Sequence, residues 1–82
     1  MDINFIDPPE TMNIYAPKGH KVRFAFPENG WRGDIENAEK HLTVGAVYTV
    51  VRTEVGSSIA YVELAEFPGK TFNSVQFEDV ES

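Results

Sequence analysis

Residues 42–80 read LTVGAVYTVVRTEVGSSIAYVELAEFPGKTFNSVQFEDV, and this stretch decides the fold. Val47 to Val55 is rich in β-branched residues, which suit a pleated, half-buried surface, so it reads as a long strand. Gly56-Ser57-Ser58 is a turn. From Ile59 to Glu66 the apolar residues Ala60, Val62 and Leu64 fall on one face and Glu63 on the other, the period of a strand. Pro68-Gly69 is a strong turn signal, because Pro presets the first central position and Gly supplies positive φ at the second. Thr71-Phe72 and Gln76 to Val80 follow, with a 3₁₀ turn at Asn73-Ser74-Val75. Both polar side chains of that turn are placed to bond nearby backbone. Connections this short imply an antiparallel meander.

Working upstream, Val22, Phe24 and Phe26 alternate with Lys21, Arg23 and Ala25, which predicts another strand. Pro27 ends it, since proline donates nothing to a ladder. Asn29-Gly30 marks a tight turn. Asp34 is placed to cap a short helical turn over residues 35–41, with Ile35, Ala38 and Leu42 on one face. About two turns of helix are marginal alone, so this one forms only if docked. The expected strands are 21–26, 46–55, 59–66, 71–72 and 76–80. A meander leaves two open edges, and pairing of the first strand with the last would help to close it. The expected core is Val22, Phe24, Leu42, Tyr48, Val50, Val62, Leu64, Phe72, Val75 and Phe77. Residues 1–19 read as an arm, because Pro8-Pro9 and Pro17 interrupt regular structure. Its apolar residues Ile3, Phe5, Ile6, Met12, Ile14 and Tyr15 either pack on the domain or form a strand for a partner.

Two sets of residues resemble known proteins. The order of strands, with Leu42-x-x-Gly45-x-x-Tyr48 before the second, resembles an SH3-like barrel. In that arrangement Leu42 and Tyr48 pack on the core while Gly45 takes the sharp turn. Tyr48-Thr49-Val50, Leu64-Ala65-Glu66-Phe67-Pro68-Gly69 and Phe72-Asn73-Ser74-Val75-Gln76-Phe77-Glu78 resemble the ending of a family of small, uncharacterised proteins of bacteria and their phages. That resemblance covers roughly residues 20–80. It implies an all-β fold, a small five-stranded SH3-like barrel over residues 20–82 with a short helical turn in its first long loop. It also implies a phage or prophage source, and it brings no activity or ligand.

The chain has 82 residues, enough for one small domain that buries about 60–65% of its unfolded surface. With 41% hydrophobic residues it can build a core. The absence of cysteine excludes a disulfide framework, a thiolate nucleophile and a Cys-ligated zinc site. No apolar run is long enough to span a membrane. The opening Met1-Asp2-Ile3-Asn4 lacks the basic region of a secretory signal, so a cytoplasmic location is expected. The net charge of −6 argues against nucleic acid as the partner. The excess acidity is confined to residues 34–82, which carry nine acids against three bases, while residues 1–33 carry four of each.

No catalytic constellation is evident, and no enzyme, cofactor or metal is expected. His20 and His41 stand alone and read as surface residues, without the spacing of metal ligands. Glu36 and Glu39 read as a solvated helix face. Ser57, Ser58 and Ser74 read as turn residues rather than nucleophiles. The informative aromatic is Trp31, in a polar loop beside Arg32; it is either core at one end of the sheet or an exposed anchor. The expected function is therefore a non-enzymatic module that docks on another protein, with Trp31, Arg32 and Tyr15 as the contact residues. The alternative is an acidic inhibitor that mimics nucleic-acid charge against a basic nucleic-acid-binding site, its acidic face built around Glu78, Asp79 and Glu81. A third reading puts nucleic acid on Lys18, Lys21, Arg23 and Arg32, with Trp31 stacking.

Overall fold

The computed structural model describes residues 11–80. Five strands form one antiparallel sheet: β1 (Lys21–Phe24), β2 (Val47–Val55), β3 (Ala60–Leu64), β4 (Thr71–Asn73) and β5 (Phe77–Asp79). The ten-residue helix α1 (Arg32–His41) lies between β1 and β2, and a 3₁₀ turn (Ser74–Gln76) links β4 to β5. Their order across the sheet is β4-β3-β2-β1-β5.

The alternation read from the sequence sets the faces. Val22 and Phe24 of β1, Tyr48 and Val50 of β2, and Val62 and Leu64 of β3 point inward, and Phe72 and Phe77 join them. Complete burial of a Val, Leu or Phe side chain is worth roughly 1.5–3 kcal/mol, so these eight account for most of the apolar driving force. The rings of Phe24, Phe77 and Phe72 pack in series, with centroids 5.7 and 6.4 Å apart in that order. Gly45, at φ +88°, lets the chain turn between Leu42 and Tyr48, and the Tyr48 hydroxyl accepts the Thr43 N–H at 2.9 Å. The Lys70 N–H bonds the Phe67 carbonyl across Pro68-Gly69, with Gly69 at φ +82°, as that turn requires.

The sheet is not closed into a barrel, which corrects the SH3-like expectation. β1 does pair with β5, with Phe24 opposite Phe77 and Arg23 opposite Glu78. Closure needs a further ladder between β4 and β5, and none exists among the described residues. β4 and β5, three residues each and joined by the 3₁₀ turn, stand at the two ends of the strand order and exchange no ladder. The edges are covered instead. Asn37 of α1 donates to the Thr71 carbonyl on β4 at 3.0 Å, and the Met12 N–H donates to the Phe77 carbonyl on β5 at 2.8 Å. Covering unpaired edge groups in this way removes the need for closure.

Two details differ from the sequence reading for local reasons. Asp34 does not precede the helix; it is the third residue of α1, and its carboxylate accepts the N–H of Trp31, which stands at the N-cap, at 2.9 Å. The 3₁₀ turn advances side chains by a third of a turn per residue, which sends Gln76 into the core and leaves Val75 half-buried. Of the arm, only two of residues 11–19 pack into the core. Met12 and Ala16 are buried in the core cluster, and the Gly19 N–H reaches the Val50 carbonyl at 2.8 Å. Ile3, Phe5 and Ile6 lie outside the described residues.

Candidate functional site

The loop from Ala25 to Trp31 is held against the 3₁₀ turn along its length. The Ala25 and Phe26 N–H groups both donate to the Gln76 carbonyl, at 3.1 and 3.0 Å. Gln76 Nε2 donates to the Pro27 carbonyl at 3.2 Å, and Asn29 Nδ2 to the Val75 carbonyl at 2.8 Å. The loop turns over Pro27-Glu28, where the Asn29 N–H bonds the Phe26 carbonyl, and Gly30 then takes φ +96°. A side chain at Gly30 would sit 3.1 Å from the Asp34 carboxylate and 3.3 Å from Asn73 Nδ2, so the position favours glycine twice over.

Asn73 ties this corner together. Its Oδ1 accepts the Val75 N–H at 3.2 Å, and its Nδ2 donates to the Asp34 carboxylate at 3.0 Å. One buried amide thus fixes the 3₁₀ turn and the first turn of α1 at once.

The result is an open cleft of about 300 Å³, lined by Gly30, Trp31, Ser58, Ile59, Asn73 and Val75. Three connections meet there: the loop before α1, the β2–β3 turn, and the 3₁₀ turn. Trp31 is 71% exposed. An indole left that open is not part of the core, and it stands beside two half-buried aliphatic residues, Ile59 and Val75. Trp31 and Arg32 are adjacent at the start of α1, and of the two only Trp31 lines the cleft. Tyr15 is equally open, at 73%, but lies in a separate turn where its N–H donates to Asn13 Oδ1. Four lining residues are not site candidates in the sequence: Ser58 and Asn73 read there only as turn residues. Val75 was assigned to the core, and Ile59 carried no signal beyond its place after a serine turn.

The acids at the C-terminal end are engaged. Glu78 pairs with Arg23 at 2.9 Å, and Asp79 accepts from His20 at 2.8 Å and from the Asn13 N–H. Glu81 lies outside the described residues. The bases are similarly dispersed: Arg23 faces Glu78, and Lys21 donates to Thr49 Oγ1. Neither lines the cleft. Arg52 bridges Glu54 and Glu63, and its hydrogen bond to Glu54 holds the guanidinium above its ordinary value. His41 is half-buried rather than a plain surface residue: its ring meets Phe67 at a tilt and Phe72 edge-on, with centroids 5.6 and 6.2 Å away. No group of three metal-ligating side chains occurs among the described residues. No helix among them is long and apolar enough to cross a membrane.

Residues 13–82 match the family described as bacteriophage T4 protein Y07B. The chain belongs to this family. It is thus a small phage-associated protein, and the T4 Y07B match replaces the SH3-like barrel family expected from the motifs. The match also begins upstream of that resemblance, at Asn13, whose N–H donates to the Asp79 carboxylate on β5. No curated protein and no solved structure matches the chain. The T4 Y07B description names a phage protein and no activity, so the reading of the site rests on its geometry.

Proposed function

We propose that this phage protein is a non-enzymatic docking module, acting in the cytoplasm, that receives an apolar segment of another protein in the cleft beside Trp31. The supporting observation is the exposed indole, set against Ile59 and Val75 and held through Asp34 by a part-buried hydrogen-bond network. An anchor of this kind contributes apolar area at little cost in ordering, because its backbone is already fixed. Arg32, next in sequence and exposed, supplies a charge-assisted contact at the rim. Tyr15 belongs to a second, smaller contact only if the partner reaches the N-terminal turn.

The test is affinity capture from phage-infected cells with the wild type, Trp31→Ala and Tyr15→Ala, followed by measurement of Kd for the captured protein. Trp31→Ala is expected to weaken binding by about 1–3 kcal/mol while the chain stays folded. Equal affinity of wild type and Trp31→Ala for every captured protein would remove the cleft from consideration.

A further inference from the structure

The loop that carries Trp31 contains the sequence's single Asn-Gly pair, Asn29-Gly30. We propose that Asn29 is a site of spontaneous deamidation, and that its conversion releases the Trp31 loop from the 3₁₀ turn. The modification stands on its own; its effect on docking rests on the function proposed above.

The chemistry needs only water. The Gly30 backbone nitrogen attacks the Asn29 side-chain carbonyl carbon. A bond from that nitrogen to Cγ forms, the bond from Cγ to Nδ2 breaks, and ammonia leaves with the proton from Gly30. The resulting five-membered imide is opened by water at either carbonyl, giving aspartate or isoaspartate. Glycine favours the attack because no Cβ shields its nitrogen. Asn29 and Gly30 are both exposed, and the Gly30 N–H makes no hydrogen bond among the described residues.

The other described asparagines are worse placed. Asn73 is buried and bonded at both ends of its amide. Asn37 lies inside α1, where the helix ladder occupies the following N–H. Asn13 precedes the branched Ile14, and its Oδ1 already accepts the Tyr15 N–H.

The consequence follows from which atom leaves. Nδ2 is the nitrogen that donates to the Val75 carbonyl at 2.8 Å. A carboxylate in its place has no hydrogen to give and faces a carbonyl oxygen instead. The isoaspartate product also lengthens the backbone before Gly30, where even an added Cβ would come within 3.1 Å of the Asp34 carboxylate and 3.3 Å of Asn73 Nδ2. Either product loosens the attachment of Trp31 to the cleft. The Val75 bond opposes the reaction, but it is a single bond at an exposed side chain.

The experiment ages the full chain in mildly alkaline buffer. Peptide mapping by mass spectrometry, with enzymatic labelling of isoaspartate, follows each asparagine, while NMR follows the amide signals of Trp31, Asp34 and Val75. Asn29 is expected to convert severalfold faster than Asn13, Asn37 or Asn73, and the three signals to move with the same time course. Asn29→Gln, which closes the imide ring far less readily, should age without that movement. Asn29→Asp should show it from the start. The site is overturned if Asn29 keeps its amide over a period in which the urea-unfolded chain loses it. Its structural effect is overturned if the residue converts, or is replaced by Asp, and the Trp31 and Val75 signals stay in place.

Discussion

Asn73 shows how one residue carries both a local and a distant role. Its bond to the Val75 N–H lies two positions away and is legible from the sequence, because asparagine ahead of a tight turn caps it. Its bond to Asp34 spans thirty-nine positions and leaves no local trace. Asn73→Ala strips a buried donor and acceptor from their partners and should cost about 1–3 kcal/mol in chemical denaturation. Phe72→Ala, next door in the core, should cost roughly 3–5 kcal/mol, much of a small domain's stability. Trp31→Ala should stay within about 0.5 kcal/mol of wild type, because the indole is open to solvent. A loss as large as that of Phe72→Ala would place Trp31 in the core and move the docking surface elsewhere.

Among the elements, the helix is the one whose existence depends most on the rest. Ten residues are short for an isolated helix in water. The apolar face at Ile35, Ala38 and Leu42 was readable, and Ala38 and Leu42 are indeed buried. Its start was misplaced because Asp34 is a good N-cap by type, whereas the loop geometry puts Trp31 there and turns the Asp34 carboxylate back to it. Asp34→Ala removes the acceptor for both the Trp31 N–H and Asn73 Nδ2, so a cost of about 1–2 kcal/mol is expected in thermal unfolding. The more telling effect is on binding. Trp31 is retained in this variant but loses its fixed entry to the helix, so affinity should fall along with the helical circular-dichroism signal. Unchanged affinity would show that the cleft needs the indole and not its placement.

For the whole molecule, turn spacing gives the neighbours β2, β3 and β4, and the expected contact of the first strand with the last is present, but spacing settles neither the β1–β2 pairing nor closure. Hairpin connections fix which strands are neighbours, and period-two alternation fixes which face is inside. Neither says what lies on an outer edge, and here the edges meet Asn37 and Met12, distant residues with no pattern of their own. Net charge bears on the alternative reading. An excess of six negative charges invites a reading as a nucleic-acid mimic, yet Glu78 and Asp79 are spent within the fold on Arg23, His20 and the Asn13 N–H. The two readings separate by salt. Between exposed charges, screening is strong beyond about 10 Å at 0.1 M salt, so affinity carried by an acidic face collapses as salt rises. Affinity carried by desolvation of an indole against Ile59 and Val75 is not weakened by screening. The captured partner is therefore expected to bind with nearly constant Kd across a salt series, and Trp31→Ala to weaken it equally at every salt concentration. A steep loss of wild-type affinity with salt, together with indifference to Trp31→Ala, would transfer the function from the cleft to the acidic surface.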